Sequence, residues 1–362
     1  MQAYSESVAV GSLQVREAEK IKTPRVMLFL SSGRTYGNKT AAEDFLFNRL
    51  KEDNQAVDIL EARGRLDKGY GKFLKRFLRA IPGNDIVHLY IGSFDNFLKE
   101  VLPLIILARF FGRKIVLSYV SSETEFFLDK WAKLYRPIIS QADRIIVPSE
   151  YTSTIFARYG YRVEILPRAI DTRRFRFKLR SSLQPKILVN RSLELKNNIP
   201  CALKAFKLVK QKYPRAEMII AGQGSLEAAL HDLVKDERIS GVTFTGRVIA
   251  EDIPALYDTA DLFLNSSTLD DFPLSLVEAM ASGLPIVTTD AGGIPEMVTD
   301  RRDALMVPIN DPVTLADRII ELIENCTLVE KLSKTAGHTA ARFDWQSYRN
   351  SLAELYNSLS VA

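Results

Sequence analysis

The second half of the chain contains the stretch Leu269-Asp270-Asp271-Phe272-Pro273-Leu274-Ser275-Leu276-Val277-Glu278-Ala279-Met280-Ala281-Ser282-Gly283-Leu284-Pro285. Two acids, Asp270 and Glu278, stand on either side of a predicted helix start. Pro273 suits that start, because the N–H that proline lacks would have had no partner there. Gly283 is expected to end the helix, and Pro285 leads into an apolar run that is typical of a buried strand.

The N-terminus of this helix offers unpaired backbone N–H groups and the positive end of the helix dipole. Such a terminus suits a phosphate group, while carboxylates beside it can accept hydrogen bonds from sugar hydroxyls. The stretch therefore predicts a site for a nucleotide sugar rather than for a bare nucleotide.

Strand-sized apolar runs alternate with helical patterns in both halves of the chain. The predicted strands cover residues 25–30, 56–60, 86–91, 114–119 and 144–147 in the first half, and 185–190, 217–222, 242–246, 262–265 and 286–289 in the second. Helices are predicted between most of them, including 41–50 and 199–212. This alternation indicates two doubly wound α/β units joined near residue 180, with a ligand cleft outside the carboxyl ends of the strands. Residues 1–23 are expected to be loosely ordered.

The composition fits a two-domain protein without membrane spans. The chain has 362 residues, of which 46% are hydrophobic and 26% charged, which is enough for two ordinary cores. The longest apolar run, 101–111, is broken by Pro103 and Arg109 and is too short to cross a bilayer. The polar N-terminus predicts no signal peptide, and the distant Cys201 and Cys326 predict no disulfide or cysteine-rich metal site. We therefore expect a cytoplasmic protein.

The net charge of +5 divides unevenly between the two halves. Residues 1–180 carry 31 Lys and Arg against 20 Asp and Glu, a balance of +11, whereas residues 181–362 carry 18 against 24, a balance of −6. Basic runs at 72–79 and 173–180 supply much of the excess. A basic first half implies an anionic partner such as a lipid surface or a phosphorylated acceptor. Nucleic acid is not expected, because the basic runs lack paired aromatic platforms for bases.

The run 72–79 has the spacing of an amphipathic basic helix. Its apolar residues Phe73, Leu74, Phe77 and Leu78 alternate with Lys72, Lys75, Arg76 and Arg79. Such a helix can lie on an anionic membrane, which would place the protein peripherally on the inner face. The alternative, which is commoner, is a helix whose apolar face packs on the core while its charges are solvated.

Two cations follow the first predicted strand of the second unit. Arg191 and Lys196 would lie at its carboxyl end, where Arg can grip a diphosphate as a planar fork and Lys as a point charge. An ordinary basic loop is the competing interpretation, because Arg and Lys dominate exposed loops.

Several glycine turns are candidates for close approach to a ligand. They are Gly222 and Gly224 after one strand, Arg247-Val248 after Gly246, Gly292-Gly293 after another, and Gly33 in the first unit. None is a full dinucleotide fingerprint, and a structural turn explains each one equally well.

No metal or nucleophile set is evident in the sequence. Asp270 and Asp271 are adjacent and lack the Asp-x-Asp spacing that would put both carboxylates on one side of an extended segment. His88 lies in a predicted strand and is interpreted as a buried, hydrogen-bonded residue, while His231 and His338 have the pattern of helix-surface residues. We therefore expect no metal and no nucleophilic triad.

These pieces occur in an order that resembles the family 4 glycosyltransferases. The resemblance covers about residues 24–358 and includes 142–151, the turn 165–171, Arg191 with Lys196, the acids Asp270 and Glu278, the loop 292–296 and the entry 343–345 to a last helix. It implies the two-domain GT-B fold, with an acceptor-side domain over 24–180 and a nucleotide-sugar donor domain over 181–344. The last helix, 345–362, would pack back on the first domain.

The resemblance also implies roles for individual residues. Arg191 and Lys196 would bind the donor diphosphate, Glu278 the donor ribose, and Asp270 would face the donor sugar. Backbone N–H groups in the segment from Phe272 through Pro273 to Leu274 would contact sugar and phosphate. The chain departs from the family at Asp270, where Glu is usual, at Asp271, where Gly is usual, and at Arg168 and Ala169 in the 165–171 turn.

The function implied is that of a metal-independent, retaining glycosyltransferase, and specifically a hexosyltransferase. It would move a sugar from a nucleotide-diphosphate sugar to a glycan, a lipid or a small molecule without a further cofactor. Two alternatives remain at this stage: a nucleotide-sugar hydrolase or epimerase on the same fold, and a degenerate GT-B binding module. The presence of Arg191, Lys196 and Glu278 argues against the binding module.

Overall fold

The structure is a computed structural model, which describes residues 24–31, 48–50, 57–61, 66–92, 97–121, 123–180 and 183–360. Within these ranges the chain forms two parallel six-stranded sheets with helices on their faces. The expectations for residues 1–23, for Gly33 and for most of the helix over 41–50 fall outside the described residues.

The first sheet has the strand order β2-β1-β3-β4-β5-β6. Its strands are β1 (Val26–Ser31), β2 (Val57–Glu61), β3 (Ile86–Ile91), β4 (Lys114–Tyr119), β5 (Arg144–Val147) and β6 (Glu164–Ile165). Every pairing is parallel. Because both faces of a parallel sheet are covered, its central strands are continuous apolar runs, and β3 is buried along its whole length.

One face of this sheet carries four helices. They are α1 (Leu66–Ala80), α2 (Phe97–Phe110), α3 (Thr124–Ile139) and α4 (Glu150–Arg158). Phe73 and Phe77 of α1 lie in the core cluster that these helices form with the sheet. Lys72, Lys75, Arg76 and Arg79 of α1 are exposed, so its apolar face serves the core. The structure therefore favours the interpretation that the apolar face of the run 72–79 packs on the core, over the interpretation that this face enters a membrane.

The second sheet has the order β12-β11-β10-β7-β8-β9 and is also parallel throughout. Its strands are β7 (Lys186–Asn190), β8 (Glu217–Ala221), β9 (Val242–Gly246), β10 (Leu262–Asn265), β11 (Ile286–Thr289) and β12 (Leu305–Val307). The flanking helices are α5 (Ile199–Lys212), α6 (Glu227–Asp236), α7 (Ile253–Asp258), α8 (Leu274–Ala281), α9 (Ile294–Met297), α10 (Pro312–Glu324) and α11 (Cys326–Ala340). Short 3-10 turns lie at Ile81–Gly83, Thr172–Arg174, Leu195–Asn197 and Ala341–Phe343.

The last helix, α12 (Trp345–Ser360), crosses back and covers the other face of the first sheet. Tyr356 and Tyr348 are buried there against β3, with the Tyr356 hydroxyl 2.7 Å from His88 Nδ1 and the Tyr348 hydroxyl 3.1 Å from that of Tyr90. The second ring nitrogen of His88 is 2.6 Å from Ser118 Oγ. The C-terminal segment thus ties the second half of the chain to the first sheet.

Most predicted elements lie within one or two residues of the observed ones, because their apolar periods are strong. The sequence did not reveal β6 and β12, which have two and three residues and are too short to show a period. Pro273 is the N-cap of α8 rather than its first helical residue. Cys201 is buried, Cys326 is exposed, and both are free. Among the described residues no helix is long and apolar enough to span a bilayer.

The buried His88 makes the stability of the first domain depend on pH. Burial lowers the pKa of His88 to about 3, whereas an unfolded histidine has a pKa near 6.5. Below about pH 6.5 only the unfolded chain takes up a proton at this position, so the free energy of unfolding falls as the pH drops toward 3. The loss from His88 alone should be about 2 kcal/mol at pH 5.

In urea titrations at pH 7.5 and pH 5, His88→Gln should therefore lose about 2 kcal/mol less stability than the wild type on acidification. His338→Gln, which removes an exposed histidine of the second domain, is the matched control and should behave like the wild type. Equal acid losses in all three proteins would contradict this role of His88.

Candidate active site

The carboxyl edge of the second sheet brings together most of the predicted site residues. Arg191 follows β7 directly, the loop with Asp270 follows β10, and Gly292 follows β11. In a parallel sheet all these strand ends lie on one edge, which is where such folds bind ligands. The helix α8 begins at the same edge, close to Asp270.

Arg191 and Asp270 form an ion pair at the centre of this edge. The Arg191 guanidinium donates a hydrogen bond to Asp270 Oδ2, and the two side chains are only 14% and 7% exposed. The same guanidinium donates to Asn197 Oδ1 over 2.7 Å and to Ser275 Oγ over 3.3 Å. These contacts fix the plane of the Arg191 fork, and its contact with Ser275 directs it toward the start of α8.

Asn197 is a site residue that the sequence did not reveal. It is 1% exposed and donates from Nδ2 to the carbonyl of Ser192 at 2.7 Å and to Ser192 Oγ at 2.8 Å. Its Oδ1 receives the Arg191 fork. Asn197 therefore holds the loop after β7 around the Arg191 guanidinium. An asparagine in a polar loop is common, so the sequence alone does not reveal this role.

Lys196 lies on the rim of the cleft and faces the first domain. Its Nζ is 3.8 Å from Glu123 Oε1 at the start of α3, and both side chains are partly exposed. Its backbone carbonyl accepts from the N–H of Thr268 at 2.8 Å. The position of Lys196 is therefore tied to the loop that leads to Asp270, while its ammonium group is accessible from the cleft.

The start of α8 offers fewer donors than the segment from Phe272 to Leu274 implied. The N–H of Phe272 already donates to Asp271 Oδ1 at 3.0 Å, and Pro273 has no N–H to offer. The backbone donors that open the helix are those of Leu274 and Ser275, which precede its first intrahelical bond. The open N–H groups of this structure begin at Leu274, and the donor contacts expected of the segment from Phe272 to Leu274 stay a prediction.

Glu278 projects from α8 into a small polar network. Its Oε2 accepts from the Tyr257 hydroxyl at 2.7 Å and lies 3.4 Å from Asn190 Nδ2. Burial raises the pKa of Glu278 to about 7, and the Tyr257 hydrogen bond and nearby arginines only partly oppose this. Tyr257 is fully buried and comes from α7. Its part in the site depends on packing between helices, which local sequence patterns do not reveal.

Asp271 is buried beside Asp270 and is only half satisfied. Its Oδ1 accepts from Phe272, whereas its Oδ2 has no hydrogen-bond partner among the described residues. Burial, together with the negative charge of Asp270, raises the pKa of Asp271. The charge of Arg168 opposes this shift. The charge of Arg168 therefore favours the ionised form of Asp271.

The glycine turns pack closely against the loops that carry Arg191 and Asp270. A Cβ on Gly222 would lie 2.0 Å from the carbonyl oxygen of Arg191, and one on Gly224 would lie 2.3 Å from that of Leu193. A Cβ on Gly292 would lie 2.0 Å from the carbonyl oxygen of Asp270. These glycines are thus required for packing against the Arg191 and Asp270 loops, whatever ligand contacts they make.

The remaining candidates lie at the margin of this site. Arg247 is exposed after β9, and Val248 is half-buried against the second core. Gly33 falls outside the described residues. His88 is buried under α12, away from the second sheet, and His231 and His338 are exposed. Over the described ranges no cluster of three His, Cys, Asp or Glu residues could hold a metal ion.

Comparison with known proteins finds a family model and several relatives that match part of this chain. Residues 171–339 match the family model for glycosyl transferases group 1. Among sequence relatives, the amylovoran biosynthesis glycosyltransferase AmsK of Erwinia amylovora is 28% identical over 66% of this chain and 60% of its own length. A D-inositol 3-phosphate glycosyltransferase of Mycobacteroides abscessus is 30% identical over 60% of this chain and 52% of its own length. The chain thus spans only part of these relatives.

The fold has close counterparts among solved structures. Anabaena Alr3699/HepE, crystallised in complex with UDP and glucose, superimposes with a TM-score of 0.73. The match covers 92% of this chain and 100% of HepE at 18% sequence identity. The likeness establishes the two-domain α/β architecture of GT-B glycosyltransferases for this chain.

The closeness of Gly292 to Asp270 can be tested directly. Gly292 has φ +56° and no room for a Cβ, so Gly292→Ala combines left-handed strain of about 1–2 kcal/mol with a displaced Asp270 loop. Differential scanning fluorimetry should show its unfolding midpoint lowered by about 4 °C or more. Gly71→Ala, in open space on α1, is the control and should not lower the midpoint. A Gly292→Ala midpoint equal to that of the control would contradict this packing.

Proposed function

We propose that this chain, whose residues 171–339 match the family model for glycosyl transferases group 1, belongs to that family and transfers a sugar from a nucleotide-diphosphate sugar to an acceptor hydroxyl. The observation that carries the proposal is the convergence of three groups on one sheet edge. They are the fixed Arg191 guanidinium, the open N-terminus of α8 and the Glu278 carboxyl. A diphosphate needs the first two, and a ribose diol suits the third.

The geometry supports a specific way of holding the donor. A diphosphate beside Arg191 would receive the guanidinium N–H that Asn197, Asp270 and Ser275 do not occupy, together with the N–H groups of Leu274 and Ser275. Lys196 would add a mobile positive charge from the rim. The ribose hydroxyls would donate to Glu278, which is reached along the same helix. Asp270, already bonded to Arg191, would then face the sugar.

Transfer requires that negative charge develop on the leaving diphosphate. Arg191, Lys196 and the start of α8 would stabilise that charge better in the transition state than in the bound donor, which lowers the barrier. Because no carboxylate nucleophile is placed by the family pattern, we propose retention of configuration by front-face attack of the acceptor. The cations replace the role of a metal, so turnover should persist in excess EDTA.

The first domain is proposed as the acceptor side. It carries the positive half of the charge, and the four cations of the run 72–79 are exposed on its surface. An acceptor that bears phosphate, including one anchored in an anionic bilayer, matches that charge. Contact of this kind would be electrostatic, since Phe73 and Phe77 are committed to the core.

Removing the central cation should weaken donor use. Arg191→Ala deletes charge-assisted hydrogen bonds worth about 1.5–3 kcal/mol, so kcat/KM for the donor should fall about 10- to 150-fold. The donor is chosen from a nucleotide-sugar panel by thermal shift, since a bound ligand raises the unfolding midpoint. Arg215→Ala, an exposed cation of the same domain, is the control. Arg191→Ala at wild-type activity with subsaturating donor would refute the diphosphate assignment.

The same assay distinguishes the alternative reactions. Donor consumption that depends on an added sugar or lipid acceptor is the expected result. Consumption without acceptor would indicate a hydrolase or epimerase, and binding without consumption would indicate a binding module.

Donor affinity should depend on the ionisation of Glu278. Sugar hydroxyls donate to a carboxylate better than to a carboxylic acid, and the pKa of Glu278 is raised to about 7 by burial. The donor dissociation constant should therefore fall about tenfold between pH 6 and pH 8, because the carboxyl ionises over this range. Glu278→Gln should bind weakly and with no such slope. If calorimetry showed the same pH dependence of the donor dissociation constant for the wild type and for Glu278→Gln, Glu278 would not contact the donor.

A further inference from the structure

Glu296 links the two domains beside the candidate active site. It lies on α9 of the second domain, yet its carboxylate accepts two backbone hydrogen bonds from the first domain. Oε2 accepts from the N–H of Glu150 at 2.7 Å, and Oε1 accepts from the N–H of Tyr151 at 2.5 Å. Both donors belong to the first turn of α4.

The start of α4 is suited to a carboxylate from outside. Ser149 caps the helix by accepting from Thr152 at 3.2 Å, which leaves the N–H groups of Glu150 and Tyr151 without an intrahelical acceptor. An anion at this position gains from two charge-assisted bonds and from the helix dipole. Glu296 of the second domain thus supplies the hydrogen-bond acceptor that these two N–H groups lack within the first domain.

The residues between Glu296 and Asp270 form a short, tight connection. The N–H of Gly293 donates to the carbonyl of Asp270 at 2.8 Å, and a Cβ at Gly293 would lie 2.1 Å from the carbonyl of Asp271. The same Cβ would lie 3.2 Å from Cβ of Ser149. The Gly292-Gly293 turn is therefore sandwiched between the Asp270 loop and the start of α4.

We propose that Glu296 is a positioning residue that latches the domains closed and thereby sets the position of the Asp270 loop for transfer. The inference rests on the proposed function for its catalytic consequence, but the latch itself is a structural claim. When the α4 N–H groups bind Glu296, the Gly292-Gly293 turn is pressed against Asp270 and Asp271. When they separate, that turn loses its support from the first domain.

Loss of the Glu296 contact should affect donor binding and turnover differently. The groups proposed to hold the donor, Arg191 and Glu278, belong to the second domain and do not touch Glu296. Losing the latch should therefore leave donor affinity nearly unchanged while slowing the transfer step, which needs both domains. A residue that merely stabilised the fold would lower the unfolding midpoint without separating these two quantities.

The test measures the distance between the domains and the kinetics of the same proteins. Spin labels are attached to the native, exposed Cys326 of the second domain and to Ser140→Cys at the exposed end of α3. The buried Cys201 should remain unlabelled, because burial raises the pKa of its thiol to about 11. Pulsed electron resonance then reports the distance distribution for the wild type, Glu296→Gln, Glu296→Asp and Glu330→Gln.

Glu296→Gln should broaden the distance distribution, lower kcat about tenfold or more, and keep the donor dissociation constant within about twofold. Glu296→Asp, with its charge kept and its reach shortened, should change in the same direction by less. Glu330→Gln removes another exposed acid of the second domain and should match the wild type. An unchanged distribution for Glu296→Gln would overturn the latch, even if no donor were found; a changed distribution without altered kcat would overturn its positioning role.

Discussion

The ion pair between Arg191 and Asp270 is the contact on which the rest of the site depends. Both groups are almost fully enclosed, and a buried charge without its partner is strongly destabilising. The loops that follow β7 and β10 must therefore meet within hydrogen-bond distance, packed against the loops that follow β8 and β11. That requirement accounts for Asn197 behind the guanidinium and for glycine at positions 222 and 292, where the backbones approach too closely for a side chain.

The sequence alone predicted the two sheets, their strand ends and the residue types along the ligand edge. It could do so because buried parallel strands and amphipathic helices have strong periods, and because Arg191, Asp270 and Glu278 follow elements with clear ends. The same logic did not predict which side of α1 faces outward. The spacing of Phe73 and Phe77 favoured a core over a membrane only on general frequency, and the neighbouring helices decide it.

The residues that sequence reasoning missed act through contacts between distant elements. Tyr257 meets Glu278 because α7 packs on α8, and Glu296 meets α4 because the two domains face each other. Neither contact follows from local spacing. The unpaired oxygen of Asp271 is another product of tertiary packing, since the chain places an acid where the related family has glycine and then buries it.

A crystal structure of the chain with a bound nucleoside diphosphate tests the central claim most directly. We expect diphosphate oxygens within hydrogen-bond distance of the Arg191 guanidinium and of the N–H of Leu274, with the ribose hydroxyls on the Glu278 carboxylate. A nucleotide bound away from the edge formed by β7 and α8, or one whose ribose lies on Arg191, would contradict it.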